Sequence, residues 1–329
     1  MSGPGHHTTQ RFHLAQFAGD QPKGHVWVYN KTTGRTRSDI PESISVENNF
    51  YSIERDNGTW DTRLDDWITG VEGAATRVYK ELLGHEIPPY SQKKYDFALY
   101  LAVSYARTRT QQRVSTDFYG KMFQTATYAY GANDELFAAA IKDYETKHAK
   151  VLTPERREEF RDLLLNPAGK VTVSVSKDVA FWTWGVIEKL TPIFLEMEWS
   201  IVEPEHGYFI TSDNPLLRQV AKGTVDSAYG DGGFMNKTVN VTFPLSPKKM
   251  LLLSHKKYPR SIWETPRQFV EAINHARASH CEHELYAHIQ HKEIAKMAER
   301  YKNERPAMEL SGFGPEQFAE IRSPRRFKE

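Results

Sequence analysis

The sequence lacks several features that would place a chain in a familiar class of proteins. It has one cysteine, Cys281, and therefore cannot form an internal disulfide. Its N-terminal segment has neither the basic stretch nor the apolar run of a signal peptide, so a reducing cytoplasm is the expected compartment. Lysine and arginine total 43 against 42 for aspartate and glutamate, which gives no long-range attraction to nucleic acid or acidic membranes. Any anion site must therefore be local.

Long apolar runs and nucleotide-binding motifs are also missing. The richest apolar stretch, residues 97–106, is shorter than the roughly 18–20 residues that span a bilayer, and Arg107 and Arg109 follow it. We therefore expect no membrane-spanning segment. The sequence has no G-x-x-x-x-G-K-[ST], no G-x-G-x-x-G after a predicted strand and no G-x-S-x-G. These absences argue against P-loop NTPases, dinucleotide-dependent enzymes and α/β-hydrolases.

What the chain does have is enough apolar surface for a sizeable core, since 39% of its residues are hydrophobic and 12% are aromatic. Apolar residues at helical spacing predict helices over residues 61–84, 92–130, 134–148, 154–165, 180–196, 267–290 and 292–303. Short runs of β-formers predict strands over residues 25–29, 50–53, 199–202, 208–211, 239–243 and 250–253.

This order of elements predicts an α+β fold, with a mainly helical core packed on an antiparallel or mixed sheet built from early and late strands. We predict a single α+β domain over residues 1–304 and a C-terminal tail or arm over residues 305–329. Residues 1–10 are small and polar, so we expect them to be mobile.

Several short motifs resemble a family known as domain of unknown function 4238. The resemblance covers roughly residues 6–290 and implies no activity. It is carried by His7 to Phe17, Val26 to Tyr29, Glu47 to Tyr51, Glu72, Arg107 to Arg109, Phe209 to Pro215 and Phe243 to Pro247.

The chain departs from the family pattern at two places. The family has Pro-Gln or Pro-Arg where this chain has Gln10-Arg11, and Gln10 does not restrict its own backbone as proline would. The family has R-T-P where this chain has Arg107-Thr108-Arg109. A role for Arg109 therefore rests on this sequence alone.

Three carboxylates lie close together on the helix predicted from residue 61. With a turn of about 100° per residue, Asp61, Asp65 and Glu72 fall within about 40° of one another. Such a cluster suits Mg²⁺ or Mn²⁺ and, through a metal-activated water, phosphodiester hydrolysis. Alternatively, the two aspartates are there because negative charge is favourable at a helix N-terminus, an explanation that does not reach Glu72.

Asp213 and Asn214 follow a predicted strand, at the point where a sheet gives way to a loop. This is a good position for a catalytic or metal-binding carboxylate beside a substrate-binding amide. The alternative is an Asx-turn, in which the aspartate bonds local backbone N–H groups and Pro215 restricts the turn.

Arg107, Arg109 and Arg113 follow the most apolar part of the long predicted helix. A buried guanidinium needs an acidic partner, which Glu72 or Asp213 would supply in a structural ion pair. Alternatively, Arg107 and Arg109 bind a substrate phosphate.

Histidines form two further candidates. His7 matches the opening histidine of the family and suits a general base or a metal ligand, although a solvated histidine pair with His6 is the alternative. His280, Glu284 and His288 recur every four residues on a predicted helix, but H-E-x-x-H and C-x-x-C are absent. A polar helix face is therefore favoured over a zinc site.

The leading hypothesis from the sequence is a metal-assisted hydrolase of phosphodiesters, such as a nuclease. Glu72 and Asp213 would hold Mg²⁺ or Mn²⁺, His7 would act as the base, and Arg107, Arg109 and Asn214 would bind the substrate. One alternative is a sensor of an anionic ligand, such as a nucleotide, that is not turned over. Another is a noncatalytic interaction protein that recruits a protein partner through the C-terminal tail.

Overall fold

The computed structural model describes residues 5–19, 24–48, 50, 52–55, 57–166, 185–220 and 232–306. The chain forms two compact units. The first comprises Met1–Arg113 with Phe181–Ala307, and the second comprises Val114–Ala180 with Met308–Glu329. The single domain predicted over residues 1–304 stays a prediction, and the predicted tail lies outside the described residues from residue 307 onward.

Helices make up about half of the described chain. Their bounds are α1 Arg11–Ala15, α2 Arg63–Leu83, α3 Gln92–Ala106, α4 Arg109–Ala132, α5 Asp134–His148, α6 Pro154–Leu165, α7 Gly185–Glu196, α8 Arg267–His280 and α9 Lys292–Arg300. Among these, no helix is both long enough and apolar enough to cross a bilayer.

The described strands are short and form four sheets. Their bounds are β1 Gly5–His7, β2 Val26–Asn30, β3 Thr36–Asp39, β4 Val46–Asn48, β5 Ile53–Glu54, β6 Trp60–Asp61, β7 Glu198–Pro204, β8 Thr211–Ser212, β9 Leu217–Gln219, β10 Asn240–Ser246, β11 Lys249–Ser254, β12 Ile262–Thr265 and β13 Glu284–Ala287. One mixed sheet has the order β12-β7-β11-β10-β9, and an antiparallel sheet has the order β3-β2-β13-β8. Two small pairs, β1-β4 and β5-β6, complete the set.

The main core of the first unit lies between three helices and the five-stranded sheet. Helix α3 packs against both α2 and α7, and α2 contacts β10. Phe97, Tyr100 and Leu101 of α3 are fully buried, as expected for a helix that is apolar on nearly every side. These helices pack on Val241 and Phe243 of β10 and on further residues of β7 and β11. The predicted α+β class is therefore confirmed.

Early and late strands do pair, as predicted, and they do so in the four-stranded sheet. Strand β13 lies between β2 on one side and β8 on the other, and it is antiparallel to both. The other late strands form the separate five-stranded sheet, so the prediction of a single sheet is wrong.

The long helix predicted over residues 92–130 is two helices. Helix α3 ends at Ala106, and α4 begins at Arg109. The break occurs at Thr108, whose hydroxyl donates to the carbonyl of Tyr105 and accepts from the backbone N–H of Gln111. A threonine used in this way satisfies the first N–H groups of a new helix and so favours a helix start.

The helix predicted over residues 267–290 is also shorter than expected. Helix α8 ends at His280, and residues 284–287 form β13. The side chain of Asp213 accepts the backbone N–H groups of residues 282, 283 and 284, which a continuing helix would need for its own bonds. His280, Glu284 and His288 therefore do not share a helix face, and both interpretations of that face are wrong.

The start of the chain is more ordered than the sequence suggests. Gly5–His7 forms β1, antiparallel to β4, and residues Thr8, Thr9 and Gln10 are buried. Only 2% of the surface of His6 is exposed, so it is not a solvated histidine. The expected mobility is wrong for residues 5–10.

The described part of the second unit is helical, with Val114–Ala132 of α4 followed by α5 and α6. Asn133 caps α5 by accepting from the N–H of Leu136, and Thr153 caps α6 by accepting from the N–H of Arg156. Pro154 stands in the first turn of α6, where its missing N–H is not needed, and the helix predicted over residues 154–165 is confirmed. Among the described residues of this unit, the core comprises Phe137, Ile141 and Leu152 with two partly buried neighbours, Tyr144 and Leu164.

Candidate functional site

The β1–β4 pair brings polar residues from distant parts of the sequence together. In its register His6 lies opposite Glu47, and His7 lies opposite Val46. Glu47 and the backbone of His7 each contact one of two arginines at the break between α3 and α4. The site is thus built from a terminal strand, a short strand and a helix start.

Arg107 forms the buried centre of this arrangement. Its guanidinium is only 3% exposed and donates to the carboxylate of Glu72 on α2 and to the backbone carbonyl of His7. Of the two acidic partners considered from the sequence, Glu72 is the one that pairs with Arg107. The pair neutralises a buried charge and ties the first strand to α2 and α3.

The ring of His7 lies at the same place and is half-buried. Its Nδ1 lies 3.2 Å from the carbonyl oxygen of Ile44. Burial lowers the pKa of His7, and the charges of Arg107 and Arg11 act in the same direction, while the contact with Ile44 opposes them. The imidazole is therefore neutral near pH 7, which is the form that accepts a proton.

The predicted carboxylate cluster on α2 is only partly present. Asp61 belongs to β6 and precedes the helix, where it pairs with Arg63 and Arg55. Asp65 lies on α2 with a carboxylate oxygen 3.9 Å from Nε2 of His6. Because Asp61 is not helical, the angular argument that grouped it with Glu72 is wrong.

Arg109 differs from Arg107 in exposure and in the use of its donors. Its Nε donates to Glu47, and its side chain is 31% exposed. Across the part of the chain that the structure describes, its two terminal nitrogens have no hydrogen-bond partner. The charges of Arg109 and Asp213 also interact, which brings the two groups of site residues within electrostatic range of each other.

The two departures from the family pattern fit the backbone found here. Gln10 has a φ of −61°, the value that a proline ring imposes, and its amide donates to the hydroxyl of Ser104 over 2.5 Å. Arg109 is the first residue of α4, a position where proline is common because its missing N–H is not needed. Both positions therefore tolerate proline, and in this chain each carries a polar side chain instead.

Asp213 is buried and its carboxylate accepts three backbone N–H groups. The N–H groups of Glu282, His283 and Glu284 lie 2.8, 2.6 and 3.0 Å from its oxygens. Burial raises the pKa of Asp213 to about 6, although the three donors act in the opposite direction. The carboxylate is thus largely ionised at pH 7, with its charge compensated by the main chain. The donors are remote in sequence, whereas the Asx-turn considered from the sequence requires local ones.

The residues after Asp213 are also tied to α8. The amide nitrogen of Asn214 donates to the carbonyl of His280 at 3.0 Å, while its Oδ1 is buried without a partner in the described chain. Arg277, which is fully buried, donates to the carbonyl of Pro215 at 2.6 Å. Burial lowers the pKa of Arg277 to about 9. These bonds hold the Ser-Asp-Asn-Pro segment against the end of α8.

Ion pairs that the sequence analysis missed surround Asp213. Glu282 accepts from Arg113 at 2.8 Å, and Glu284 accepts from Arg37 at 2.8 Å. Tyr286 donates to Glu284 at 3.1 Å, and its hydroxyl lies 2.5 Å from that of Ser45. Ser45 has a φ of +57°, which is unusual for a residue other than glycine. We call Ser45, Asp213, Glu282, Glu284 and Tyr286 the β13 network.

Part of this network is visible in the sequence at the two-residue period of a β-strand. Glu282, Glu284 and Tyr286 alternate along one face of an extended segment, but the sequence was interpreted at helical spacing. Glu47 lies within a motif that resembles the family, yet no spacing argument distinguished it from the other glutamates. Ser45 has no sequence feature of its own.

A buried histidine was also missed. His13 lies 2.9 Å from both the hydroxyl of Tyr79 and that of Thr211, through opposite ring nitrogens. Burial lowers the pKa of His13 to about 3, so the ring is neutral and links α1, α2 and β8. Its part is to hold the segment that leads to Asp213.

The predicted site residues therefore fall into two neighbouring groups. His7, Glu72 and Arg107 are in direct contact and, with Arg109 and Glu47, form what we call the Arg109 site. Asp213 and Asn214 are bonded to the end of α8 and the start of β13. Within the described ranges, no group of three or more His, Cys, Asp or Glu side chains could hold a metal ion. The predicted metal site of Glu72 and Asp213 stays a prediction.

Comparisons with known proteins give one positive result. Neither the curated proteins nor the solved structures include a match to this chain. A family model described as "Protein of unknown function (DUF4238)" matches residues 5–291, which include both groups of site residues. The match confirms the resemblance found in the sequence, and the chain belongs to the DUF4238 family.

Proposed function

We propose that the protein binds a phosphate-bearing ligand at the Arg109 site and acts as a sensor of that ligand. The observation that carries this proposal is Arg109 itself, a partly exposed guanidinium with only Nε used by the described part of the protein. Its two terminal nitrogens have the geometry to bind two oxygens of one phosphate.

The surroundings of Arg109 support the same choice. Glu47 restrains Nε and thereby orients the rest of the guanidinium, which lowers the entropy lost on binding. Arg107 is less suited to be the primary contact, because Glu72 and the carbonyl of His7 already occupy its donors. We assign Arg107 to positioning β1 and the ring of His7 beside the ligand.

The test is direct binding of simple phosphates. Pyrophosphate, ATP and a short single-stranded RNA would be titrated calorimetrically into wild type, Arg109→Gln and Arg109→Lys. We expect wild type to bind, and we expect Arg109→Gln to bind with an affinity at least about tenfold lower. Arg109→Lys should keep part of the affinity, because lysine retains the charge but not the planar guanidinium. Arg63→Gln removes an exposed arginine of the same unit and should bind like wild type. Equal affinities for all four proteins would refute the proposal.

Metal-assisted hydrolysis of phosphodiesters, as by a nuclease, is the second candidate. It is favoured by the neutral ring of His7, which lies beside Glu72 and Arg107 and could accept a proton from an attacking water. In this scheme Glu72 and Asp213 bind Mg²⁺ or Mn²⁺, and Arg107, Arg109 and Asn214 contact the substrate.

Incubation of labelled RNA and DNA with Mg²⁺ or Mn²⁺ separates the two candidates. A hydrolase would give products that disappear in Glu72→Gln and His7→Gln, each checked for folding by circular dichroism. A sensor would show ligand-dependent thermal stabilisation without product.

The remaining parts of the proposal concern the cellular location and the binding partners of the protein. We propose a cytoplasmic location, in keeping with the single cysteine. The ligand would be nucleic acid, a nucleotide or another phosphate-bearing molecule. A protein partner of the sensor would bind the C-terminal tail, whose Arg322 to Lys328 segment is basic.

A further inference from the structure

A cavity of about 710 Å³ lies in the first unit, away from the residues of the Arg109 site. One face of α8 forms one wall, since residues 267, 270, 271, 274 and 275 recur at helical spacing. Residues of α9 and of the loop around Gly207 complete the lining. The volume is in the range of small-molecule sites, which is roughly 300–1,000 Å³.

The wall of this cavity is held in place by a buried amide. Asn274 of α8 accepts from the N–H of Ile210 at 3.1 Å and donates to the carbonyl of Tyr208 at 2.9 Å. Gly207, next to it, has a φ of +87°, a conformation that other residues rarely adopt. The loop is therefore fixed to the helix, and the cavity is preformed.

The cavity has an apolar part. Val270 and Ile294 are almost fully buried, and Met297 lies beside them on α9. Such side chains favour a flat apolar or aromatic group over a hydrated ion.

The charged side chains that line the cavity are three cations and two glutamates, a net charge of +1. Of its two glutamates, Glu271 is paired with Arg267 at 2.7 Å and Glu293 with Lys296 at 2.9 Å. The third cation, Arg300, has no acidic partner among the residues that the structure describes, and its guanidinium lies 5.4 Å from the centroid of the Tyr301 ring. One positive charge therefore remains uncompensated at the rim.

A histidine adds a second unused group. The Nδ1 of His275 is buried and has no hydrogen-bond partner in the described chain. His275 lines the same cavity as Arg300, and its ring packs against Tyr301 at 5.7 Å between centroids. His275 and Arg300 share the ring of Tyr301 as a neighbour, so the imidazole is a second polar group close to that cation.

We propose that this cavity is a second binding site, specific for a small organic anion. The ligand would place an apolar or aromatic body against Val270, Ile294 and Met297 and one phosphate or carboxylate at Arg300 and His275. The argument is independent of the Arg109 site, which shares no residue with the cavity.

The probe is 1-naphthyl phosphate, which carries both halves of this chemistry, with 1-naphthoate as the carboxylate version. Inorganic phosphate and 1-naphthol each carry one half. Calorimetric titration of the full chain should show that one of the naphthyl anions binds more tightly than either half. The better of the two identifies the anionic group.

Two variants test the assignment within the cavity. Arg300→Gln removes the uncompensated cation and should weaken binding of the naphthyl anion by about tenfold or more. Met297→Trp fills the apolar part and should weaken it by a similar factor. Arg260→Gln changes an exposed arginine outside the cavity and should leave the affinity unchanged.

The outcomes separate this site from the Arg109 site. Binding that survives in Arg109→Gln but falls in Arg300→Gln and Met297→Trp supports the cavity. Absence of binding by wild type, or binding that falls in Arg109→Gln and not in Arg300→Gln, overturns the inference whatever pyrophosphate does at the other site.

Discussion

The β13 network and the Arg109 site are both polar and lie side by side, yet they use their charges differently. The carboxylate of Asp213 is buried and accepts three backbone N–H groups. The guanidinium of Arg109 is partly exposed and, within the described chain, uses one of its three nitrogens. A buried charged group that is bonded mainly by the backbone acts as a structural element, whereas one with unused donors at the surface is available to a ligand. This contrast leads to four predictions, from the largest expected effect to the smallest.

The largest effect is expected for Asp213→Asn. The asparagine amide would place an NH₂ group against backbone N–H donors, leaving at least one of them buried without an acceptor. We expect the free energy of unfolding at pH 7 to fall by about 4 kcal/mol, measured by urea denaturation. Asp143→Asn, at an exposed ion pair on α5, should cost less than about 1 kcal/mol. A change of similar size in both variants would contradict the structural role of Asp213.

The second prediction concerns the pH dependence of this difference. The pKa of Asp213 is about 6 in the folded protein and roughly 3.9 in an unfolded chain, so the folded state binds more protons between these values. The stability that wild type gains from Asp213 is therefore fully present below about pH 4 and decreases as the pH rises through 6.

Asp213→Asn lacks this titration. The difference in unfolding free energy between the two proteins should therefore narrow by up to about 3 kcal/mol between pH 4 and pH 7. Urea denaturation at a series of pH values measures it. A difference that widens as the pH rises would mean that the three N–H donors outweigh burial and that the pKa is depressed.

The third prediction concerns Glu72, where we expect a loss of stability between those of Asp213→Asn and Arg109→Gln. Glu72→Gln leaves the buried guanidinium of Arg107 without its anion, but the partial exposure of Glu72 lets water compensate. We expect a loss of about 2 kcal/mol in the free energy of unfolding. The double variant Glu72→Gln, Arg107→Met removes the orphaned charge, so it should lose less than the sum of the two single variants. Additive losses would mean that the pair contributes no coupling.

The smallest effect on stability is expected at Arg109. Arg109→Gln breaks a partly exposed pair with Glu47, which should cost less than about 1 kcal/mol. The same substitution should abolish or strongly weaken binding of phosphates, measured by calorimetry. Arg109→Gln should thus affect phosphate binding more than stability, whereas the effect expected for Asp213→Asn is mainly on stability. A large loss of stability in Arg109→Gln would instead place Arg109 in the β13 network.

The sequence predicted the elements of the core well because their apolar period is regular. Helices α2, α5 and α6 and strands β2, β10 and β11 lie close to their predicted bounds. The errors occur where a tertiary contact overrides the local pattern. Asp213 takes the N–H groups that would have extended α8, and Thr108 divides a continuous apolar run into α3 and α4. Neither event leaves a periodic trace in the sequence.

The candidate site was predictable in part, for a similar reason. His7, Glu72 and Arg107 were identified as motif residues, and the acidic partner of Arg107 was limited to two possibilities. The partners Glu47, Ser45 and Tyr286 were missed because strand pairing and not sequence spacing brings them into place. The burial that distinguishes Asp213 from Arg109 depends on the whole fold.

The most direct test of the account is a calorimetric titration of pyrophosphate into wild type and Arg109→Gln, with urea unfolding of the same preparations. The account predicts binding to wild type, at least about tenfold weaker binding to the variant, and unfolding free energies within about 1 kcal/mol of each other. Equal affinity in the two proteins, or no binding to wild type, would contradict the assignment of Arg109 as the ligand-binding group.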